Sequence, residues 1–444
     1  MTRWLMICAG AIAALSASAA HAELLLDEDF AGEASLTERG WVVEAEPQQS
    51  QWSVEDGHLR VVCHRSPYQG GRIVRAVPVT QRGVLELDAR FAQEGGVNYD
   101  HLCLGIKLYG YMTAFKKYGG HNWTVYRPEQ QTWYTVSDRV PLGEWTHLRV
   151  EFDIPRSRVE YYLGDARDPL LVDTDLPMSP EGETGELEIF NYGLTKGTVT
   201  HLIDNVTLSS TEAAGEGAPG VRDLTLVFRG LTSDRYRARE ILEAALGAER
   251  VLSYTLMARG AATAPRNQLA LDAVPGAATW AGARRVVLED MPAGPGEVLA
   301  PWLLEDLERS VRDGAHLLVL AGPFSLGKGA WQGTPLEAML PVEVGGPWTL
   351  RRLDMPAPLP GGNGAASLLW CHAATPVEGA SVSAAAGEMP LIVSRPYGAG
   401  AVTIFLGAPL GHVPDFGDTQ PFWEWDGWPD LLGRLAGVAG GDEQ

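Results

Sequence analysis

The sequence predicts two folded domains of different class behind an export signal: an all-β jelly-roll sandwich, then an α/β domain with a mainly parallel sheet. Three observations predict it. From Glu23 to Ser210, short runs alternate apolar and polar residues with a period of two, separated by turn residues. Residues 211–220 read Thr-Glu-Ala-Ala-Gly-Glu-Gly-Ala-Pro-Gly, small, polar and aperiodic, the composition of a flexible linker. From 221 to 438, apolar strand-like runs alternate with segments of helical spacing, the pattern of a sheet covered on both faces by helices. A length of 444 residues also exceeds what one ordinary core organises. Residues 439–444 form a short tail.

Residues 1–22 read as a secretory signal peptide. Arg3 supplies the positive start, Trp4 to Leu15 an apolar run too short to span a bilayer, and Ala20-His21-Ala22 a small-residue cleavage site. The expected location is therefore secreted or periplasmic, with no membrane span in the mature chain. The chain carries 56 acidic against 35 basic residues, a formal charge of −21. Such a surface repels phosphate backbones, so nucleic acid is not an expected partner. Cys63, Cys103 and Cys371 remain after cleavage, without a C-x-x-C pattern. No metal or cofactor is expected. Cys63 and Cys103 either pair in an oxidising compartment or stay as buried thiols.

In the first half, His58 to Cys63, Gly83 to Phe91, Trp145 to Phe152, Arg158 to Leu163 and Gly185 to Phe190 are predicted strands. Their alternation places one face in a core and the other in water. In the second half, Leu224 to Phe228, Arg250 to Leu256, Arg285 to Asp290, His316 to Leu320 and Ala401 to Leu406 are strands. Asp234 to Leu246 is one helix, capped by Ser233 or Asp234 and closed by Gly247; Leu299 to Arg312 and Trp428 to Leu435 are two more. The stretch from Gly329 to Pro396 reads as strand and loop inserted on that core.

Leu26-Asp-Glu-Asp-Phe30, Gln51-Trp-Ser-Val-Glu-Asp-Gly-His-Leu59, the run from Leu142 to Phe152 and Ile203-Asp-Asn-Val-Thr-Leu208 resemble the concanavalin A-like lectin/glucanase superfamily, in the laminin-G-like style. The resemblance implies a jelly roll whose relatives bind sugars, bind proteins or cleave glucans. Val287-Leu-Glu-Asp290, the run from Leu317 to Gly327 and Gly398 to Gly407 resemble the class I glutamine amidotransferase-like superfamily, which implies a flavodoxin-like fold. Those relatives place a nucleophilic cysteine in G-x-C-x-G on the turn after a strand. The matching stretch here, Gly322 to Gly327, contains no cysteine, so glutaminase activity does not carry over.

Candidate chemistry is sparse. Ser325 lies in a turn one residue short of G-x-S-x-G, and a serine nucleophile would need His372 or His412 as base and Asp290 to orient it. Gly322 to Lys328 begins a phosphate-loop pattern, but Gly329 stands where Ser or Thr should hold magnesium. Glu86-Leu-Asp88 begins the E-x-D-x-x-E pattern of laminarinase-type glucanases, but Phe91 replaces the last carboxylate. Aromatic residues offer more. Tyr111, Trp123 and Trp133, with Asn98, Asp100 and His101, suit a sugar ring and its hydroxyls. Trp423 and Trp425 flank Glu424 and Asp426 after the last strand, where Asp290, Ser325, Lys328 and His372 would converge if that loop sits at the carboxyl ends of the strands. The leading expectation is a secreted, non-catalytic protein that recognises carbohydrate or a cell-surface glycan. The alternatives are an extracytoplasmic hydrolase of glycan or ester, using Asp290, Ser325, His372, Glu424 or Asp426, and a structural module that binds another protein.

Overall fold

The computed structural model describes residues 23–45, 50–63, 70–91, 101–117, 121–127, 132–137, 140–174, 180, 182–194, 199–211, 222–259, 268–271, 273–293, 298–362 and 364–438. The chain forms two compact units, divided between Ala218 and Pro219.

The first unit is all β. In chain order its strands are β1 (Glu23–Glu28), β2 (Val42–Glu44), β3 (Ser50–Glu55), β4 (His58–Cys63), β5 (Arg72–Pro78), β6 (Arg82–Phe91), β7 (His101–Leu108), β8 (Tyr111–Lys117), β9 (His121–Arg127), β10 (Thr132–Ser137), β11 (Trp145–Asp153), β12 (Arg158–Leu163), β13 (Leu171–Asp173), β14 (Thr184–Leu194) and β15 (Val199–Ser210). One sheet runs β13-β12-β11-β6-β15-β4-β3, with β1 also on β15; the other runs β10-β9-β8-β7-β14-β5-β2. All the pairings are antiparallel. The period of two explains the packing: Leu85, Leu87, Ala89 and Phe91 of β6 point inward and meet Leu104, Ile106, Leu187 and Ile189 of the facing sheet in one core. On β15 a bulge between Asp204 and Thr207, with Asn205 at φ 49°, inserts one residue and keeps Ile203, Val206 and Leu208 all inside. This sandwich fits a jelly roll. Cys63 is a free buried thiol that accepts from Asn191 Nδ2 at 3.0 Å, so the pairing with Cys103 left open above is not made. Burial pushes its pKa up to about 12.

The second unit is α/β. Its main elements are β16 (Leu224–Arg229), α1 (Ser233–Tyr236), α2 (Ala238–Leu246), β17 (Val251–Arg259), β18 (Gln268–Leu271), α3 (Ala277–Gly282), β19 (Ala283–Glu289), α4 (Pro301–Arg312), β20 (His316–Leu320), α5 (Pro335–Met339), β21 (Leu350–Pro358), β22 (Ala366–His372), β23 (Ser381–Ala386), β24 (Met389–Tyr397), β25 (Gly400–Phe405) and α6 (Trp428–Leu435). The large sheet runs β18-β17-β16-β19-β20-β25-β24-β23. Its five central strands, β17 to β25, are parallel, and both edges turn antiparallel. The connections step outward from β16 in one direction and from β19 in the other. Right-handed crossovers therefore put the following helices on opposite faces. In agreement, α2 packs beside α6, and α4 beside α3 and α5.

Two expectations need correction. The helix read as continuous from Asp234 to Leu246 is broken at Arg237, whose backbone is left-handed (φ 55°, ψ 31°). The stretch from Gly329 to Pro396 is only partly an insertion, because β23 and β24 extend the large sheet. A small separate sheet, built around β21 and β22, supplies His372.

Close backbone approach fixes the carboxyl-end edge of this unit's sheet. A Cβ on Gly230 would lie 2.0 Å from the Glu289 carbonyl oxygen and 2.3 Å from that of Asp290. Gly230→Ala should therefore destabilise the α/β unit by about 1–3 kcal/mol, since backbone must move. Gly346→Ala, with nothing within 4 Å of its Cβ, is the control and should be near neutral. Urea denaturation of both variants checks the contrast.

Candidate functional site

The chain leaves β16 through Gly230 and enters the single turn of α1. Arg237 ends that turn, its N–H bonding to the Ser233 carbonyl. A left-handed conformation costs a non-glycine residue about 1–2 kcal/mol, so something must fix it. That restraint is Glu289, at the end of β19, whose Oε1 accepts from the Ala238 N–H at 3.1 Å and so sets where α2 begins. Glu289 is fully buried. Burial raises its pKa to about 8, against the pull of the Ala238 N–H and the Arg229 charge.

The segment after β25 forms the facing wall. Tyr236 reaches across to it: its hydroxyl lies 2.7 Å from both the Ala321 and Gly407 carbonyl oxygens. Its own carbonyl accepts from Trp428 Nε1 at 2.8 Å. Phe405, Phe422 and Trp428 pack around it with ring centroids 4.9–6.1 Å apart. Trp423 stands edge-on to Phe416 and Phe422. The Arg235 guanidinium lies 5.0 Å over its ring while Nη1 donates to the Pro409 oxygen at 2.6 Å and the Gly411 oxygen at 3.4 Å. Between the walls is an open cleft of about 590 Å³, lined chiefly by Asp234, Arg235, Arg237, His412, Trp423 and Glu424. Its lining follows the carboxyl ends of β16 and β25, the edge at which open α/β sheets bind ligands.

Asp290, Ser325 and His372 do converge, but on a backbone turn and not on the cleft. Ser325 Oγ accepts from the Gly322 N–H at 3.0 Å, and Asp290 Oδ1 from the Phe324 N–H at 2.6 Å. His372 Nε2 lies 3.1 Å from the Gly322 oxygen, so it carries the proton and Nδ1 accepts from Thr349 Oγ1 at 2.7 Å. All three side chains are buried. Burial lowers the His372 pKa to about 4 and raises that of Asp290 to about 6. Ser325 and His372 bond to opposite ends of Gly322 and not to each other, so these candidates of the hydrolase alternative serve here as ties of the turn. Lys328 is exposed on the same turn, away from the cleft lining. Of the tryptophan loop, Trp423 and Glu424 line the cleft, Asp426 is exposed outside that lining, and Trp425 packs half-buried on the core.

In the sandwich, the stacking role expected for Trp123 and Tyr111 is also corrected. Trp123 is fully buried, donates from Nε1 to Thr113 Oγ1 at 2.6 Å and meets Tyr161 edge-on. Tyr111 is buried, its hydroxyl bonded to that of Tyr161 and donating to the Asp173 carboxylate. Neither ring has a face free for a sugar. Asn98 and Asp100 lie outside the described residues, as do the side chains of His101 and Trp133.

Two arrangements escaped the sequence reading. Arg235 and Arg237 were hidden inside what reads as a continuous helix, and His412, named as a candidate base for Ser325, lines the cleft with them instead. The second is a row across four strands of the sandwich: His147, Asp88, Asp204 and His58. His147 Nδ1 lies 3.0 Å from Asp88 Oδ1, Asn205 Nδ2 donates to Asp88 Oδ2 at 2.7 Å, and His58 Nδ1 lies 3.0 Å from Asp204 Oδ2. The exposed Trp145 ring sits 5.0 Å from His58. The alternation of Glu86 and Asp88 was the available signal. Among the described residues, no group of three or more His, Cys, Asp or Glu is placed to hold a metal ion, and no helix is long and apolar enough to cross a membrane.

No family model and no curated protein matches the chain. Solved structures do. A sialidase matches at 13% identity and TM-score 0.35, over 50% of this chain; the chain spans only 21% of that protein. A β-1,3-glucanase from Mycobacterium marinum matches at 14% identity and TM-score 0.33, over 42% of this chain and 98% of the other. A cytoplasmic protein from Salmonella typhimurium matches at 17% identity and TM-score 0.34, over 48% and 97%. These are distant likenesses of fold, and the architecture described above stands on its own strand pairing.

The buried Glu289 makes a pH prediction. Its folded pKa of about 8 lies above the ordinary 4.5. Between those values the folded state holds a proton that the unfolded chain releases, so stability falls as pH rises through the window. The full loss is on the order of 5 kcal/mol. Glu289→Gln keeps the acceptor for Ala238 and cannot ionise. Urea denaturation from pH 5 to 9 should show the wild-type decline markedly flattened in this variant.

Proposed function

We propose that the protein is an exported carbohydrate-recognition protein, with a binding cleft on an α/β unit that has kept an amidotransferase-like scaffold without its nucleophile. The cleft carries this reading. A sugar offers an apolar ring face and a rim of hydroxyls, and needs an aromatic surface beside fixed donors and acceptors. Trp423, buried beneath the Arg235 guanidinium, presents only an edge of its ring to the cleft, while Arg237, Asp234 and Glu424 supply the exposed polar partners. The five parallel strands in the order β17-β16-β19-β20-β25 support a flavodoxin-like scaffold, which has that order and binds ligands at this edge. Residues 1–22 support export.

Recognition is favoured over hydrolysis by one observation. Ser325 and His372 at the expected turn are sealed from solvent and bonded to the Gly322 backbone. Ser325 also bonds the Asp290 side chain, but a serine sealed from solvent has no route to a substrate.

A glycan array probed with the mature chain should give saccharide ligands, and calorimetry on the best of them should show about tenfold weaker binding by Trp423→Ala, the worth of one aromatic contact. Thermal melting confirms that the variant is folded. Binding to no glycan, or undiminished binding by a folded Trp423→Ala protein, would sink the proposal.

A further inference from the structure

The cleft lining is balanced in charge although the chain is strongly acidic. Acidic residues outnumber basic ones 56 to 35, yet two arginines and a histidine share this lining with two carboxylates. The two arginines differ in state. Arg235 is consumed by structure, bonded to two carbonyl oxygens and laid over Trp423. Arg237 is exposed, and among the described residues its side chain makes no ion pair and no hydrogen bond. Its neighbours are paired: Arg239 Nε lies 2.7 Å from Glu243 Oε1, and Arg229 Nη2 3.4 Å from Glu240 Oε1. Asp234, on the same turn, is almost fully exposed and has Arg229 at 3.9 Å as its ion-pair partner.

A second observation is independent of charge. Arg237 follows the last residue of α1 in the left-handed region, the position at which glycine is favoured because it has no Cβ to strain. A long cationic side chain is a poor choice there for folding. Of the nine described non-glycine residues with positive φ, Arg237 is one that lines the cleft. A planar guanidinium with free N–H groups matches a carboxylate through two parallel hydrogen bonds.

We infer that the cleft selects acidic saccharides, sugars that bear a carboxylate such as uronic or sialic acids, with Arg237 on the carboxylate. This rests on the carbohydrate reading above and narrows it.

The test uses the mature full chain on an array that carries uronate- and sialate-bearing glycans beside their carboxyl-reduced counterparts, followed by calorimetry on the strongest pair. The acidic member should bind at least tenfold more tightly than its reduced form, and the difference should shrink with added salt. Arg237→Gly should abolish that preference while its melting temperature stays level or rises, because glycine relieves the left-handed backbone. That combination separates loss of a contact from loss of fold. Equal binding of acidic and reduced glycans, or a preference that survives Arg237→Gly, overturns this inference and leaves carbohydrate recognition standing. Binding to neither class overturns both.

Discussion

Glu289 stands at the carboxyl end of β19 with one carboxyl oxygen on the Ala238 amide and none of its surface open to water. Much of the cleft wall follows from that bond. It fixes the first residue of α2, so α1 must close after one turn, and Arg237 must absorb the change of direction in a left-handed conformation. The chain before it is held as firmly, because Gly230 rests on the Glu289 and Asp290 carbonyls with no room for a side chain. A buried acid is an expensive way to start a helix where a serine would do. What it provides is a restraint rooted in the sheet, so that the cleft wall inherits the rigidity of β19.

The turn after β20 is organised differently. Asp290, Ser325 and His372 each take one polar atom of the segment from Gly322 to Phe324, and a Cβ on Gly322 would meet the Asp290 carboxyl at 2.3 Å. Residue types that suggest a reaction are here the internal ties of a tight loop. Side-chain bonds to local backbone commonly account for such residues in turns. The solvent-open chemistry lies to one side, against Trp423.

Much of the architecture was legible because it depends on periodicity. The alternation along β6 and β11 and the apolar runs of β19 and β20 fixed the class of each unit. The break at Arg237 was not legible, since Asp234 to Leu246 contains no glycine or proline and the cause lies some fifty residues away in Glu289. Burial was the other blind spot. Trp123 and Tyr111 sit among Gly, Asn and His in a stretch that reads as surface, but strand parity turns both rings inward. Within the tryptophan loop, proximity in sequence hid opposite fates: Trp423 edges into the cleft and Trp425 packs on the core. The outward row from His147 to His58 joins residues up to 146 apart in the chain, which only sheet register brings together.

Arg235 ties the two walls together. Its guanidinium holds the Pro409 and Gly411 carbonyls with one nitrogen and covers Trp423 with its face, so the aromatic surface is already oriented before anything arrives. Under the proposed reading, an incoming molecule would find this wall preformed, with little ordering entropy left to lose. Encounter and capture would then merge into a single kinetic step, its rate set by diffusion and by the local field of the cleft, while differences among related ligands would be expressed in how long each one stays.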